Sequence, residues 1–174
     1  HFTGAVRLNG GSLNTADSIV IGQRIGKFSI GDSLILSGGN LVNRALITQK
    51  AGNFVVEKGN YSIETINKEN GTLSNAGTLS ITNFNQSNGT TANSGNLSIG
   101  NSNLGGSLNN TGTLTLTGDV ISRGNLTNNG NLNNRGNWTE TNRFTIAGNL
   151  NNSGFANFQN GFQFGNGRLT SSGT

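Results

Sequence analysis

The side chains able to do acid–base, nucleophilic or metal chemistry are few and scattered. In 174 residues the carboxylates are Asp17, Asp32, Glu57, Glu64, Glu69, Asp119 and Glu140, and the sole histidine is His1. A glycosidase-type pair needs two carboxyl groups held at a set separation across a scissile bond. Glu57 and Glu64 could meet by stacking or around a bend, but nothing in the sequence fixes their spacing. Cysteine is absent, which removes thiol catalysis, disulfide staples and Cys-based metal sites. There is no histidine cluster, no EF-hand spacing and no G-G-x-G-x-D repeat to hold a metal. The stretch GQRIGK at 22–27 and the Gly-Gly pairs at 10–11, 38–39 and 105–106 lack the rest of a phosphate-binding fingerprint. The sequence points away from an enzyme and assigns no catalytic, cofactor or metal residue.

Other groups suggest contact rather than catalysis. Trp138, Phe144, Phe155, Phe158, Phe162 and Phe164 crowd the last third. Phe162 and Phe164 alternate, so they share a strand face. Core filling is the expectation, and an exposed aromatic strip gripping a sugar or a protein is the functional alternative. Nine N-x-[ST] sites, at Asn60, Asn70, Asn85, Asn88, Asn96, Asn109, Asn125, Asn137 and Asn151, permit sugar attachment without requiring it. The net charge of +4 comes from 11 basic and 7 acidic residues. The basic residues form no continuous stripe, so nucleic acid is not an expected partner. No window approaches 18 consecutive apolar residues, so no membrane-spanning segment is expected. The chain opens at His1 without a signal-like stretch and reads as a piece of a longer protein.

The elements that must carry these residues are written in a repeat. Asparagine occurs 32 times and glycine 28 times, and proline is absent. GTLSNAGTLSI from Gly71, TTANSGNLSI from Thr90, GSLNNTGTLTL from Gly106, GNLTNNGNLNN from Gly124 and GNLNNSGFANF from Gly148 superimpose on G-x-L-x-N-x-G-x-L-x-[ILF]. The central glycines are Gly77, Gly95, Gly112, Gly130 and Gly154, at steps of 18, 17, 18 and 24 residues. The long last step holds an added piece, NRGNWTETNRFTI, expected as a wider or partly separate coil. Residues 1–70 are a diluted version, with Asp17 and Ala45 where later corners have glycine. The chain is thus one segment over 1–174, divergent in 1–70 and regular in 71–174.

This pattern predicts an all-β, parallel β-helix of about 18 to 24 residues per coil. Leu79 and Ile81, Leu97 and Ile99, and Leu114 and Leu116 are i, i+2 pairs that point to one face of a short strand. With Leu73, Leu108, Leu126, Leu132 and Leu150 they form the expected core. The N-x-G pairs are expected at corners, glycine supplying positive φ. Asn75, Asn93, Asn110, Asn128 and Asn152 stand two residues before those glycines and are expected to stack as amide ladders. Charge there would bring like charges within about 4.8 Å on successive rungs. Disorder is disfavoured by the low charge and the regular apolar spacing. A helical solenoid lacks a 3.6-residue period, and a sandwich or barrel does not call for an 18-residue step.

GTLSNAGTLSI, GSLNNTGTLTL and GNLTNNGNLNN resemble the shaft repeats of filamentous-haemagglutinin-type exoproteins and the asparagine-rich passengers of autotransporters. The resemblance is fair from Gly71 to Phe158 and loose before. It implies a right-handed β-helix secreted by Gram-negative bacteria through an outer-membrane barrel. That shaft would display binding regions toward a receptor or glycan on a host or neighbouring cell, in cell adhesion and virulence. Two alternatives remain open: a glycan-binding or glycan-cleaving β-helix of the phage tail-fibre type, and a self-assembling fibre subunit. The first needs Trp138, Tyr61 or Glu140 on an outward face.

Overall fold

In the computed structural model, residues 5–10, 12–15, 19–21, 28–30, 32–43 and 46–174 are described, and the account that follows concerns these. Asp17, Ala45, His1 and the GQRIGK stretch lie outside them. Every regular element is a strand, every strand pairing is parallel, and the chain winds into a β-solenoid of about 7 turns with coils of about 18 residues.

Each turn has three short faces. The first face is a nine-stranded sheet stacking Val6–Leu8, Ser33–Leu36, Asn53–Val56, Thr72–Asn75, Thr90–Asn93, Ser107–Asn110, Leu126–Asn128, Phe144–Ile146 and Phe162–Phe164. The second and third faces share a 13-stranded sheet, because Asn60–Lys68, Thr78–Gln86 and Asn96–Leu104 each run through the bend between them. From there on the two faces separate: Thr113–Leu116, Asn131–Asn134 and Asn149–Asn152 continue the second, and Asp119–Ser122, Asn137–Glu140 and Phe155–Phe158 the third. In residues 5–70 most described strands stack into the same sheets, with Phe28–Ile30 added at the edge beside Ile19–Ile21, while Ser12–Thr15 and Asn40–Asn43 pair with each other as a separate two-stranded sheet.

Why the sequence folds this way is visible in one turn. Leu126, Leu132 and Trp138 are six residues apart, and they occupy the first, second and third faces of the same coil. Strand alternation sends two side chains per face inward, six per turn, as in Leu73, Asn75, Leu79, Ile81, Phe84 and Gln86, all buried. No single turn buries enough apolar surface to offset its own ordering. Neighbouring turns supply the remainder, so stability belongs to the stack. The eleven aliphatic residues expected in the core (Leu73, Leu79, Ile81, Leu97, Ile99, Leu108, Leu114, Leu116, Leu126, Leu132 and Leu150) are each at most 1% exposed.

Two expectations need correction. The 24-residue last step is not a wide coil. Gly154 lies between the second and third faces, where Asn152 pairs with Asn134 and Phe155 with Asn137. The glycine equivalent to Gly130 is Gly148, 18 residues on, since a Cβ added at Gly148 would press on the Gly130 carbonyl. GNLNNS at 148–153 sits on the second face, one six-residue face on from the place of GNLTNN at 124–129, and NRGNWTETNRFTI carries the third face of one turn and the first face of the next. Second, the corner glycines Gly77, Gly95, Gly112, Gly130 and Gly154 do not have positive φ; that conformation occurs at Gly38, Gly39 and Gly59 between the first and second faces, and at Gly52, Gly71, Gly89 and Gly161 at the third corner. What selects glycine at Gly130 is proximity: an added Cβ would sit 2.6 Å from the carbonyl carbon of Thr111 in the turn below.

Candidate functional site

Two places concentrate polar chemistry: the inward columns at the three corners, and the outward amide rows. Inward, the first corner holds Asn75, Asn93, Asn110 and Asn128 in register. Nδ2 of each donates to Oδ1 of the next, at 2.7, 2.7 and 2.6 Å. The same amides donate to corner carbonyls, Asn93 to Gly95 and Thr113, and Asn110 to Gly112 and Asn131. Buried amides thereby satisfy backbone groups that a bend leaves unpaired. The row starts where Val56 precedes Asn75, and the Oδ1 of Asn75 has no donor.

The second corner repeats the device further along. Leu116 is followed by Asn134 and Asn152, bonded at 2.7 Å, and Asn134 also donates to the carbonyl of Phe155. Here too the first amide, Asn134, has an unpartnered Oδ1. Asn134 was missed in the sequence, and Asn152 belongs to this second ladder rather than to the Asn75 row.

The third corner was not foreseen at all. Its inward column runs Gln49, Lys68, Gln86, Leu104, Ser122, Glu140 and Phe158. Gln49 donates to the carbonyls of Gly52 and Thr72, and Gln86 to those of Gly89 and Ser107. Lys68, 1% exposed, does the same work through Nζ, which donates to the Asn88 carbonyl at 2.9 Å. Burial lowers its pKa to about 8. Glu140 is fully buried; burial raises its carboxyl to about 7 against the opposing pull of the Ser122 hydroxyl and the Asn142 N–H. The signal in the sequence was present: Lys68 and Glu140 stand at the fifth position of the same six-residue frame as Asn128 and Asn134.

The aromatic groups divide. Trp138, fully buried, packs edge-on to Phe144 at 4.8 Å and to Phe158 at 5.0 Å. Its rung-neighbours are the smaller Val120 and Ala156, which gives the indole its space. Tyr61 is buried, its hydroxyl donating to the Gly38 carbonyl at 2.9 Å. Trp138, Tyr61 and Glu140 thus all point inward. Phe162 and Phe164 continue the inward columns of Phe144 and Ile146 and are exposed on the last turn; Phe155 is exposed on the outer side of the third face.

Outward, amides line up along the axis. Asn149 donates to Asn131 and Asn151 to Asn133, both at 2.9 Å, and Asn85 donates to Asn67 at 3.0 Å. On the third face Thr65, Asn83, Asn85, Asn101, Asn103 and Asp119 line a shallow trough of about 460 Å³. Arg123 donates to Asn103 and Asn137 to Asp119 along its rim. All nine N-x-[ST] asparagines are exposed. Glu57 and Glu64 are both exposed. Glu57 is held below the usual carboxylate range, chiefly by hydrogen bonding from Arg7, with the Ser37 hydroxyl adding to it. Among the described residues no three histidines or acidic groups gather as a metal site, and no helix is long and apolar enough to cross a membrane.

No protein-family model, curated protein or solved structure matches the chain. The class defined by its fold is the β-solenoid, with polar ladders inside the corners.

Proposed function

We propose that this segment is a non-catalytic shaft of a secreted or surface-exposed adhesin. It extends from the cell and presents neutral amide and hydroxyl rows to a receptor or glycan on a host or neighbouring cell. On this reading it leaves a Gram-negative cell through an outer-membrane transporter barrel and folds outside. The supporting observation is the outer surface of the second face. From Asn60 to Asn151 its outward positions are Asn60/Ser62, Thr78/Ser80, Asn96/Ser98, Thr113/Thr115, Asn131/Asn133 and Asn149/Asn151, six rungs without a charge. Each rung rises about 4.8 Å, so amide and hydroxyl groups recur at a fixed pitch. Such a surface makes many weak hydrogen bonds whose sum depends on length and multiplicity.

The folding mechanism suits export. Each turn needs only its neighbour, so the solenoid can grow turn upon turn as the chain emerges. The test is attachment of beads coated with the folded chain to cells and to immobilised glycans, alongside a reducing-end assay on the same glycans. Attachment that rises steeply with coating density, with no new reducing ends, is the expected result. Release of reducing ends would place the chain among the glycan-cleaving solenoids instead.

A further inference from the structure

We propose that Glu140 is held as a neutral carboxylic acid that takes the place of glutamine in the third-corner column, so that the C-terminal turns are locked in acid and loosened as the pH rises. Four observations converge. Glu140 is in register with Ser122 below and Phe158 above, in the column that begins with Gln49, Lys68 and Gln86. The first three members of the column all donate hydrogen bonds to corner carbonyls, through Nε2 of Gln49 and Gln86 and Nζ of Lys68. A carboxylate has nothing to donate; a carboxylic acid has one O–H. Finally, Oε1 of Glu140 accepts the Asn142 N–H at 3.1 Å, while the equally buried Oε2 has no hydrogen-bond partner, and burial outweighs the pull of the neighbouring Ser122 hydroxyl on the carboxyl. An ionised Oε2 would therefore be a buried charge without a counter-charge, which is costly. Protonation turns that same atom into a donor facing the corner.

The surroundings offer no counter-charge. The inward residues on the strands packed against Glu140 are Val120 and Ser122 on one side, Ala156 and Phe158 on the other, and Leu126 and Phe144 from the first face. None of these titrates. The charged groups on the flanking turns, Arg123, Arg143 and Asp119, are exposed and engaged with Asn103, Gln163 and Asn137. Lys68 stands four rungs away in the same column, with Gln86, Leu104 and Ser122 between.

Burial raises the folded carboxyl to about 7 from an ordinary value of 4.5. The folded state therefore holds a proton that the unfolded chain has released. Stability is fully present below about pH 4.5, falls as the pH rises to about 7, and levels off above that. The affected region includes Phe155–Phe158 and the turn that Phe144 begins, so the device would act at the C-terminal side of the stack.

The experiment compares the whole chain with Glu140→Gln and Glu140→Leu from pH 4.5 to 9. It reads hydrogen exchange of residues 141–160, and the ¹³C carboxyl shift of Glu140 is followed in the unsubstituted chain. The account expects the carboxyl to titrate near 7. It expects exchange in 141–160 to quicken with pH, beyond its intrinsic dependence, by on the order of 10²-fold in the unsubstituted chain. Glu140→Gln keeps the donor and abolishes that excess; Glu140→Leu has neither donor nor charge and exchanges faster than Glu140→Gln at every pH. A carboxyl that titrates at an ordinary 4.5, or the same excess in Glu140→Gln, would overturn the proposal. The titration needs no substitution, so it decides even if a variant fails to fold.

Discussion

Asn93 and Asn110, both at most 2% exposed and 17 residues apart, are bonded amide to amide at 2.7 Å across one turn of the solenoid. Each also donates to a carbonyl at the corner it turns, Asn93 to Gly95 and Asn110 to Gly112. The interior of this solenoid is therefore neither purely apolar nor loosely polar: amides run along two of its corners in bonded rows between walls of leucine.

Removing an amide from the middle of a row should cost more than removing one from its start. Asn110→Ala strips a donor from two corner carbonyls and breaks both ladder bonds. Asn75→Ala breaks one ladder bond, strips a donor from one corner carbonyl, that of Asn96, and removes an oxygen that was already unpartnered. Chemical denaturation should give Asn110→Ala a loss of about 2–3 kcal/mol and Asn75→Ala about 1 kcal/mol. Equal losses would mean that the row does not act as a connected ladder.

Glycine at the first corner should be irreplaceable for reasons of space. Gly130→Ala places a methyl 2.6 Å from the carbonyl carbon of Thr111, backbone that cannot move without parting two turns. Gly10→Ala meets nothing within 4 Å. Melting should fall sharply for Gly130→Ala, by an amount equivalent to roughly 2 kcal/mol or more. Gly10→Ala should leave it unchanged or slightly raised.

Lys68 makes the opposite pH prediction to a buried acid. Its folded pKa is lowered by burial to about 8 from 10.5. The unfolded chain keeps a proton that the folded chain has lost, so stability rises as the pH goes from about 8 to 10.5. Lys68→Gln matches its neighbours Gln49 and Gln86 in the column. That substitution should remove the alkaline rise and stabilise the chain near neutrality by about 1–2 kcal/mol in denaturant titrations.

How much of this was legible follows from the frame of the repeat. The 18-residue step pointed to the solenoid, and the i, i+2 pairs such as Leu97 and Ile99 gave the inward direction. The face on which a repeat sits was not legible, because GNLTNN, GNLNNR and GNLNNS share one six-residue pattern while Leu126, Leu132 and Leu150 stand on different faces or turns. That ambiguity put Asn152 in the wrong row and produced the 24-residue step. The inward placing of Lys68 and Glu140 was not legible, because a charged residue suggests a surface. Only their frame position, shared with Asn128 and Asn134, betrays that they point in. The glycines were placed correctly at corners, but their physical reason was contact between turns, which a single strand's conformational preferences do not reveal.

The central claim is an unbroken 18-residue turn in which Asn151 rests on Asn133. The chain has no cysteine, so paired substitutions report geometry cleanly. Asn133 and Asn151 are outward rung-neighbours, about 4.8 Å apart at Cα, within the range a disulfide spans. Under mild oxidation of the folded chain, Asn133→Cys with Asn151→Cys should cross-link rapidly and Thr127→Cys with Asn151→Cys should not. Rapid cross-linking of the 127–151 pair, with the 133–151 pair left reduced, would contradict the register on which the whole architecture stands.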